Sequence, residues 1–203
     1  MTQLSPGETQ PALGLRERKK AKTRAAIQRH ALRLFREQGY DATTVEQIAA
    51  AVEISPSTFF RYFPSKEDVV LYDAVDPVLF ASFSAQPPEL TPIQAMRGAI
   101  RTVFERLPER DLANEWERTL LVLSAPDLRM RVLDQTTQTI EQLAKLVAGR
   151  VGRRQDDLAV RAFVGAVIGA MLATLDLNAV HSMTDFLERM DAGLALLEAG
   201  LPL

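Results

Sequence analysis

Apolar residues recur at intervals of three and four along most of the chain, the period of a helix that packs one face against a core. The first such face carries Ile27, Ala31, Leu34 and Phe35. No stretch alternates in the manner of a half-buried strand, so the pattern predicts an all-α fold of nine helices. The predicted helices span about residues 18–38, 45–52, 56–63, 65–83, 91–107, 110–124, 126–151, 155–177 and 184–200.

Capping residues indicate where several of these helices begin. Thr44 and Gln47 have the spacing of a capping box, in which each side chain satisfies a backbone amide near the helix start, and residues 91–94 repeat the pattern. Ser55 is an N-cap candidate followed by a proline at the first helical position. The second and third helices are short and lie only a few residues apart, a spacing typical of a helix-turn-helix.

Composition narrows the class of protein. The 203-residue chain has no cysteine, which excludes disulfides, thiolate zinc sites and cysteine nucleophiles. Its longest strongly apolar run, residues 162–175, is shorter than the roughly 18 residues that a membrane span needs. Residues 1–15 contain no apolar segment typical of a secretory signal and have the composition of a disordered tail. We therefore expect a cytoplasmic protein.

Charge is distributed unevenly along the chain. Residues 1–70 contain 11 basic and 8 acidic residues, whereas residues 71–203 contain 13 basic and 18 acidic ones. The segment from Arg16 to Arg36 contains nine basic residues and a single acidic one, Glu17. A local excess of this kind attracts polyanions even in a protein of net negative charge, although a solvated helix face has the same pattern.

A dense set of motif positions runs from Thr23 to Asp68. It comprises Thr23-Arg24, Ile27, Ala31, Leu34-Phe35, Gly39-Tyr40, Thr43-Thr44-Val45, Ile48-Ala49 and every residue from Ser55 to Asp68. In residue types and spacing, this segment resembles the TetR family of bacterial transcription regulators. It covers about a quarter of the chain, and the helical remainder also fits the family. The resemblance implies a three-helix helix-turn-helix domain at 16–64 and a six-helix ligand-binding and dimerisation domain at 65–203.

The third helix has the features of a recognition helix, which buries one side and offers hydroxyl and basic groups to DNA on the other. Phe59 and Phe63 are expected to pack inward against Ile48 and Leu34, and Arg61 is long enough to contact a guanine with two nitrogens. The resemblance implies DNA contacts at residues 44 and 60–62, and a backbone clamp at residue 66. The predicted DNA-binding residues are Lys20, Arg24, Thr44, Ser55, Ser57, Thr58, Phe60, Arg61, Tyr62 and Lys66.

Three positions depart from the family's pattern. Phe60 stands where tyrosine is usual and lacks the hydroxyl that would bind a phosphate. Glu46 stands where many members have arginine, which removes a common base contact. Glu53 occupies a turn position that is usually glycine. If that turn requires a positive φ, Glu53 stores about 1–2 kcal/mol of strain.

The last two helices predict a homodimer, as the resemblance also implies. The final helix has a narrow apolar seam at alternating three- and four-residue intervals, and the preceding helix carries a stripe of small residues that permits close approach of another backbone. Packing within one chain is the alternative. The predicted interface residues are Ala162, Gly165, Ala166, Gly169, Ala173, Leu187, Met190, Leu194 and Leu197.

The resemblance further implies a small-molecule effector, and residues 110–177 loosely resemble a subgroup whose ligands are thought to be acyl-CoA-like. Arg97, Arg101, Glu115 and Arg118 are candidates to pair with a polar head group or are surface charges. Apolar helix faces supply the candidate lining, although each residue also suits an ordinary core. The predicted ligand-binding residues are Met96, Ile100, Phe104, Trp116, Leu120, Leu123, Phe163, Val167 and Met171.

Together these features predict a homodimeric repressor that binds a palindromic double-stranded DNA operator and is released by an apolar effector. A regulator whose second domain only dimerises is one alternative, and a helical carrier or enzyme for apolar molecules is another. His30 and His181, the two histidines, lack the spacing of a helical di-iron site, and we recognise no phosphate-binding glycine loop or catalytic triad. No enzymatic activity, cofactor or metal site is predicted.

Overall fold

The computed structural model describes residues 14–176 and 179–202, apart from the side chains of Arg18, Leu133 and Asp134. Throughout these ranges the regular structure is helical, which confirms the all-α fold. The predicted tail lies outside the described residues except for Gly14 and Leu15, and Leu15 already begins the first helix. The helices are α1 (Leu15–Gln38), α2 (Val45–Ala51), α3 (Pro56–Tyr62), α4 (Lys66–Leu71), α5 (Asp76–Ser84), α6 (Pro92–Phe104), α7 (Glu109–Ser124), α8 (Pro126–Val151), α9 (Leu158–Thr174) and α10 (Met183–Glu198).

The nine predicted helical regions are all present, and the fourth is interrupted. Where one helix was predicted over 65–83, α4 ends at Leu71 and α5 begins at Asp76. Pro77 explains the break, because within a continuous helix it would lack the N–H that bonds the preceding turn. The Asp73 carboxylate accepts hydrogen bonds from the amides of Val75 (2.7 Å) and Asp76 (3.1 Å) and so satisfies the new helix start.

Most helix ends follow local signals in the sequence. Both predicted capping boxes form, at Thr44–Gln47 and at Thr91–Gln94. Gly39 ends α1 with a φ of 90°, which favours glycine. The ninth helix begins at Leu158 and not at 155, since the Asp157 side chain caps it by accepting from the Ala159 amide. Its predicted last residue, 177, lies outside the described residues.

The chain divides into two compact units, with the boundary between Val69 and Val70 inside α4. In the first unit, α1, α2 and α3 pack around a small apolar core whose centre is Ile27, Ile48 and Phe59, all fully buried. Phe63 is buried as predicted. Leu34 is only half-buried, and Leu32 is buried on the same helix.

A buried polar contact joins the two ends of the first unit. Gln28 of α1 donates from Nε2 to the Val69 carbonyl at 2.9 Å, and its side chain is almost fully buried. A buried amide left without a partner would cost free energy, so this bond helps to specify how α1 packs against the end of the unit.

The second unit has a larger core formed by one face each of α5, α6, α8, α9 and α10. The buried residues of this core are Phe83, Ala95, Met96, Ala99, Ile100, Leu143, Ala144, Val147, Ala148, Val160, Val164, Val167, Ile168, Met190 and Leu194. α7 packs against α8 and α10. No helix in the described ranges combines the length and apolar character needed to cross a membrane.

Candidate nucleic-acid interface

The third helix, α3, is shaped by its cap and by two buried aromatic residues. The Ser55 hydroxyl accepts from the Thr58 amide at 3.1 Å, and Pro56 begins the helix. Phe59 and Phe63 lie in the core with ring centroids 6.1 Å apart. This arrangement turns the opposite side of α3 outward, where Phe60 is 51% exposed and Arg61 is also exposed.

The three hydroxyl residues predicted to contact DNA at the start of α3 differ in their hydrogen bonds and in their exposure to solvent. Ser55 Oγ lies 2.9 Å from Ser57 Oγ and 3.0 Å from Thr58 Oγ1. Ser55 is therefore engaged in helix capping, although it remains solvent-accessible, as does Ser57. Thr58 is half-buried. Ser57 is the hydroxyl of this group with the clearest access to an external partner.

Basic residues of α1 lie beside the end of α3. The Arg61 guanidinium lies over the Tyr62 ring at 5.5 Å, and that of Arg24 lies over the Phe63 ring at 5.9 Å. The Thr23 hydroxyl, hydrogen-bonded to the Tyr62 phenol, lowers the pKa of Tyr62, and the charges of Arg61 and Lys20 lower it further. α1 and α3 thus form one continuous basic surface. A polyanion is the partner that such a surface favours.

Thr23 is a member of this surface that is absent from the predicted DNA-binding residues. Its hydroxyl also lies 3.0 Å from the Lys19 carbonyl, a second acceptor for the same single proton. The available signal was its position, three residues after Lys20 and therefore on the same helix face.

Three residues singled out in the sequence lie in α2 or in the turns that flank it. Thr44 is exposed and its hydroxyl accepts from the Gln47 amide at 3.3 Å, while Glu46 is exposed beside it. Glu53, in the α2–α3 turn, has a φ of 58°, which confirms the positive φ considered for that turn. A residue with a side chain is strained there.

The side chain of Lys66 is bound to backbone carbonyl groups of the protein, which its position in the sequence did not indicate. Its ammonium group donates to the carbonyls of Tyr40 (2.9 Å) and Thr43 (3.2 Å) and lies 4.4 Å from the centre of the Tyr40 ring. An ammonium group has three N–H donors, so one is left for any phosphate.

The residues predicted to line an effector pocket differ in how deeply they are buried. Met96, Ile100 and Val167 are buried in the core of the second unit. Phe104, Phe163 and Met171 are half-buried at its edge. Trp116, Leu120 and Leu123 lie on α7 with their side chains partly exposed. An open groove of about 420 Å³ lies elsewhere, between α8 and the start of α9, and is lined by charged and polar residues such as Glu141 and Arg161.

The predicted dimer residues also separate into two sets. Met190 and Leu194 are 7% and 1% exposed within the chain's own core, so little of either side chain is left to contact a second copy. Leu187 and Leu197 are half-buried against the same core. An amphipathic helix buries its apolar face wherever a core is available, and here that core is intramolecular. The small residues of α9 remain exposed, namely Ala162, Gly165, Ala166, Gly169 and Ala173.

A partly buried charge cluster lies in the second unit and was not predicted from the sequence. Arg118 of α7 bonds Glu115 and Asp73, each at 2.8 Å. Burial, followed by the charge of Asp73, raises the pKa of Asp76 to about 6, and burial also raises the pKa of Glu115. Nothing in the local sequence shows that the α4–α5 junction and α7 meet. Within the described ranges, no group of three or more candidate ligands is arranged to hold a metal ion.

Two family models match the chain in consecutive segments. Residues 27–72 match the model for bacterial regulatory proteins of the tetR family, and residues 90–202 match the MftR C-terminal domain. The first match contains α2, α3 and α4 together with the second half of α1. The match therefore includes the exposed face of α3, whereas Lys20, Thr23 and Arg24 of the adjoining α1 surface lie before it.

Two curated relatives are themselves transcriptional regulators. TcmR of Streptomyces glaucescens is 41% identical over 165 residues, which cover 78% of this chain and 73% of TcmR. The putative mycofactocin biosynthesis transcriptional regulator MftR of Mycobacterium tuberculosis is 26% identical over 192 residues, covering 91% and 93%. Neither relative is an enzyme.

Solved structures share the fold. Thermus thermophilus FadR, a repressor crystallised with lauroyl-CoA, aligns with a TM-score of 0.50 at 23% identity. The alignment covers 89% of this chain and 95% of the FadR chain. A TetR-family protein from Mesorhizobium loti aligns with a TM-score of 0.53 at 18% identity, covering 90% and 98%. A family model that spans more than half of the chain, together with a 41% identical relative, shows that the chain belongs to the TetR family of bacterial transcription regulators.

Proposed function

We propose that the chain acts as a homodimeric repressor that binds a palindromic DNA operator and is released by an apolar effector. The DNA-binding part is supported above all by α3, which buries Phe59 and Phe63 and exposes Phe60 and Arg61 beside the basic face of α1. The proposed contacts are Lys20, Arg24, Thr44, Ser57, Thr58, Phe60, Arg61 and Tyr62.

The test of DNA binding begins with selection of duplexes from a random pool by the full chain. Against the selected duplex, Arg61→Ala should cost about 1–3 kcal/mol per half-site and relax preference at one base position. Arg129→Ala, an exposed arginine of α8, is the matched control and should bind as the wild type does. Failure to enrich any sequence, or equal losses for the two variants, contradicts the proposal.

The dimer is proposed to form through the exposed face of α9. Gly165 and Gly169 have no neighbouring atom within 4 Å of the position that a Cβ would occupy, so a second backbone can approach them closely. Gly169→Arg should yield a monomer by light scattering, because it places a charged side chain in that face. Gly149→Arg is the matched control, since Gly149 is also helical, exposed and without close neighbours. A dimeric Gly169→Arg variant contradicts this interface.

The effector is proposed to be apolar and to weaken operator binding. Lauroyl-CoA, the ligand of the fold neighbour FadR, is a suitable first probe alongside free fatty acids and drugs. A ligand at 100 times its Kd stabilises the folded protein by about 2.7 kcal/mol, which a thermal melt detects. Trp116, the single tryptophan, offers a fluorescence signal on α7. Linkage requires that the operator weaken ligand binding by the same factor as the ligand weakens operator binding.

A regulator without an effector is the second candidate, and one observation favours it. Met96, Ile100 and Val167, three of the predicted lining residues, are buried among the core residues of the second unit. This candidate predicts that no ligand in the panel raises the melting temperature or changes operator affinity.

A further inference from the structure

We propose that Lys66 is a positioning residue of the helix-turn-helix, whose ammonium group holds the α1–α2 turn in place, and that a phosphate contact is not its main role. The inference rests on the proposed DNA-binding function and assigns a different task to a residue expected to clamp the DNA backbone.

The ammonium group of Lys66 has a defined set of protein partners. It donates to the carbonyl oxygens of Tyr40 at 2.9 Å and Thr43 at 3.2 Å. The Tyr40 ring lies 4.4 Å away, within the range in which an aromatic face attracts a cation. Hydrogen bonds from a charged donor are stronger than those between neutral groups. Lys66 is also half-buried, which reduces the competition from water.

The neighbouring residue of α4 contacts the same tyrosine at its other end. The Tyr40 hydroxyl donates to Glu67 Oε1 at 3.1 Å, while the Tyr40 ring packs edge-on against Phe35 of α1 with centroids 5.0 Å apart. The first turn of α4 therefore contacts Tyr40 at its carbonyl, its ring and its hydroxyl. These contacts connect the start of α4 to the end of α1.

The turn that Lys66 contacts leads directly into α2. Thr43 is almost fully buried, and its hydroxyl donates to the Gly39 carbonyl at 2.8 Å. Gln38 donates to the Thr43 hydroxyl at 3.1 Å and to Gln47 Oε1 at 2.8 Å. Thr44, the next residue, caps α2 and is a proposed DNA contact. Movement of this turn therefore displaces α2 and the side chain of Thr44.

Salt dependence separates positioning from phosphate binding. A lysine that neutralises a phosphate releases a counterion, so its loss lowers the slope of log K against log salt by about 0.9 per contact, or about 1.8 for a dimer. A lysine bound to carbonyl oxygens supports DNA affinity through geometry, so its loss weakens binding and leaves that slope unchanged.

The experiment compares the full-length variants Lys66→Met, Lys66→Gln and Lys20→Met on the selected duplex, at a temperature at which each is folded by circular dichroism. We expect Lys66→Met to lower the melting temperature by about 5 °C and to weaken binding about tenfold at an unchanged slope. Lys66→Gln keeps an N–H₂ donor without the charge, and should bind more tightly than Lys66→Met. Lys20→Met, an exposed control, should lower the slope by about 1.8 and leave the melting temperature unchanged.

Several results would overturn the inference. A slope lowered by about 1.8 in both Lys66 variants, with an unchanged melting temperature, identifies Lys66 as a phosphate contact. Wild-type affinity in Lys66→Met shows that the turn needs no such support. If Lys66→Met does not fold, Lys66→Gln carries the same slope comparison. If the wild type selects no duplex, the proposed function fails, and the melting temperatures with the amide shifts of residues 40–44 still decide whether Lys66 holds the turn.

Discussion

Arg61 of the first unit differs from several arginines of the second unit in what its guanidinium group contacts, although Arg33 of the first unit also pairs with Glu37. In the second unit, arginines are bound to carboxylates of the same unit, as in the pairs of Arg97 with Asp191 and of Arg161 with Glu141, both at 2.8 Å. In the first unit, Arg61 lies over an aromatic ring and is exposed. A charge neutralised by a neighbouring carboxylate contributes little to the external field, whereas a charge placed over a ring remains available to an external anion.

The comparison explains how a chain of net charge −2 can present a basic surface. The acidic excess lies after residue 70, where part of it pairs internally. What matters for a polyanion is therefore the local pairing of charges and not the total.

Loss of an arginine charge should lower the free energy of unfolding far more in the second unit than in the first. Arg118→Met leaves Glu115 and Asp73 without their cation in a partly buried cluster, and should destabilise the second unit by about 3–5 kcal/mol. Arg61→Met, the matched change in the first unit, should alter the free energy of unfolding by less than about 0.5 kcal/mol. Urea denaturation of both variants checks the contrast, which disappears if the two losses are similar.

Shortening an apolar side chain of α10 should lower the free energy of unfolding strongly only on the side of the helix that faces the core. Leu194 is 1% exposed, so Leu194→Ala should cost about 2–5 kcal/mol. Leu196, on the same helix, is 51% exposed, and Leu196→Ala should cost less than about 1 kcal/mol. Chemical denaturation of a dilute sample measures both. A similar cost at the two positions would mean that α10 does not pack as described.

The charge cluster should also make stability depend on pH through Asp76. Burial raises the pKa of Asp76 from 3.8 to about 6, so its protonated form favours the folded state. The resulting stability is present below about pH 3.8 and is lost as the pH rises through about 6. Asp76→Asn should therefore be more stable than the wild type by about 3 kcal/mol at pH 7, with the difference nearly vanishing near pH 4. Denaturation curves at both pH values give the answer, and a less stable variant at pH 7 would contradict it.

The smallest predicted effect concerns the strained turn of the first unit. Glu53→Gly relieves a positive φ at the cost of some unfolded-state entropy, and should stabilise the unit by about 0.5–1 kcal/mol. Glu46→Gly, an exposed position inside α2, should destabilise it by a similar amount. Thermal melts of the two variants should shift in opposite directions. A shift in the same direction would show that the turn is not strained.

Much of the helix-turn-helix is predictable because its signals are local. The capping box at Thr44, the cap at Ser55 and the positive φ at Glu53 each depend on a few consecutive residues. The break at Asp73 was equally local, since Pro77 marks it, but the apolar pattern on both sides was interpreted as one continuous helix. Local chemistry sufficed wherever a backbone amide had to find a partner within one turn of helix.

Contacts between distant residues were decided by the tertiary structure alone. The sequence determined that α10 has an apolar face, that α9 has small residues, and that Arg118 and Lys66 are charged. Only the packing decided that Leu194 lies in the chain's own core, that Arg118 meets Asp73, and that Lys66 meets the Tyr40 carbonyl. The reason is that an apolar face or a charge specifies the kind of partner it needs, whereas the chain's path through space determines which partner is within reach.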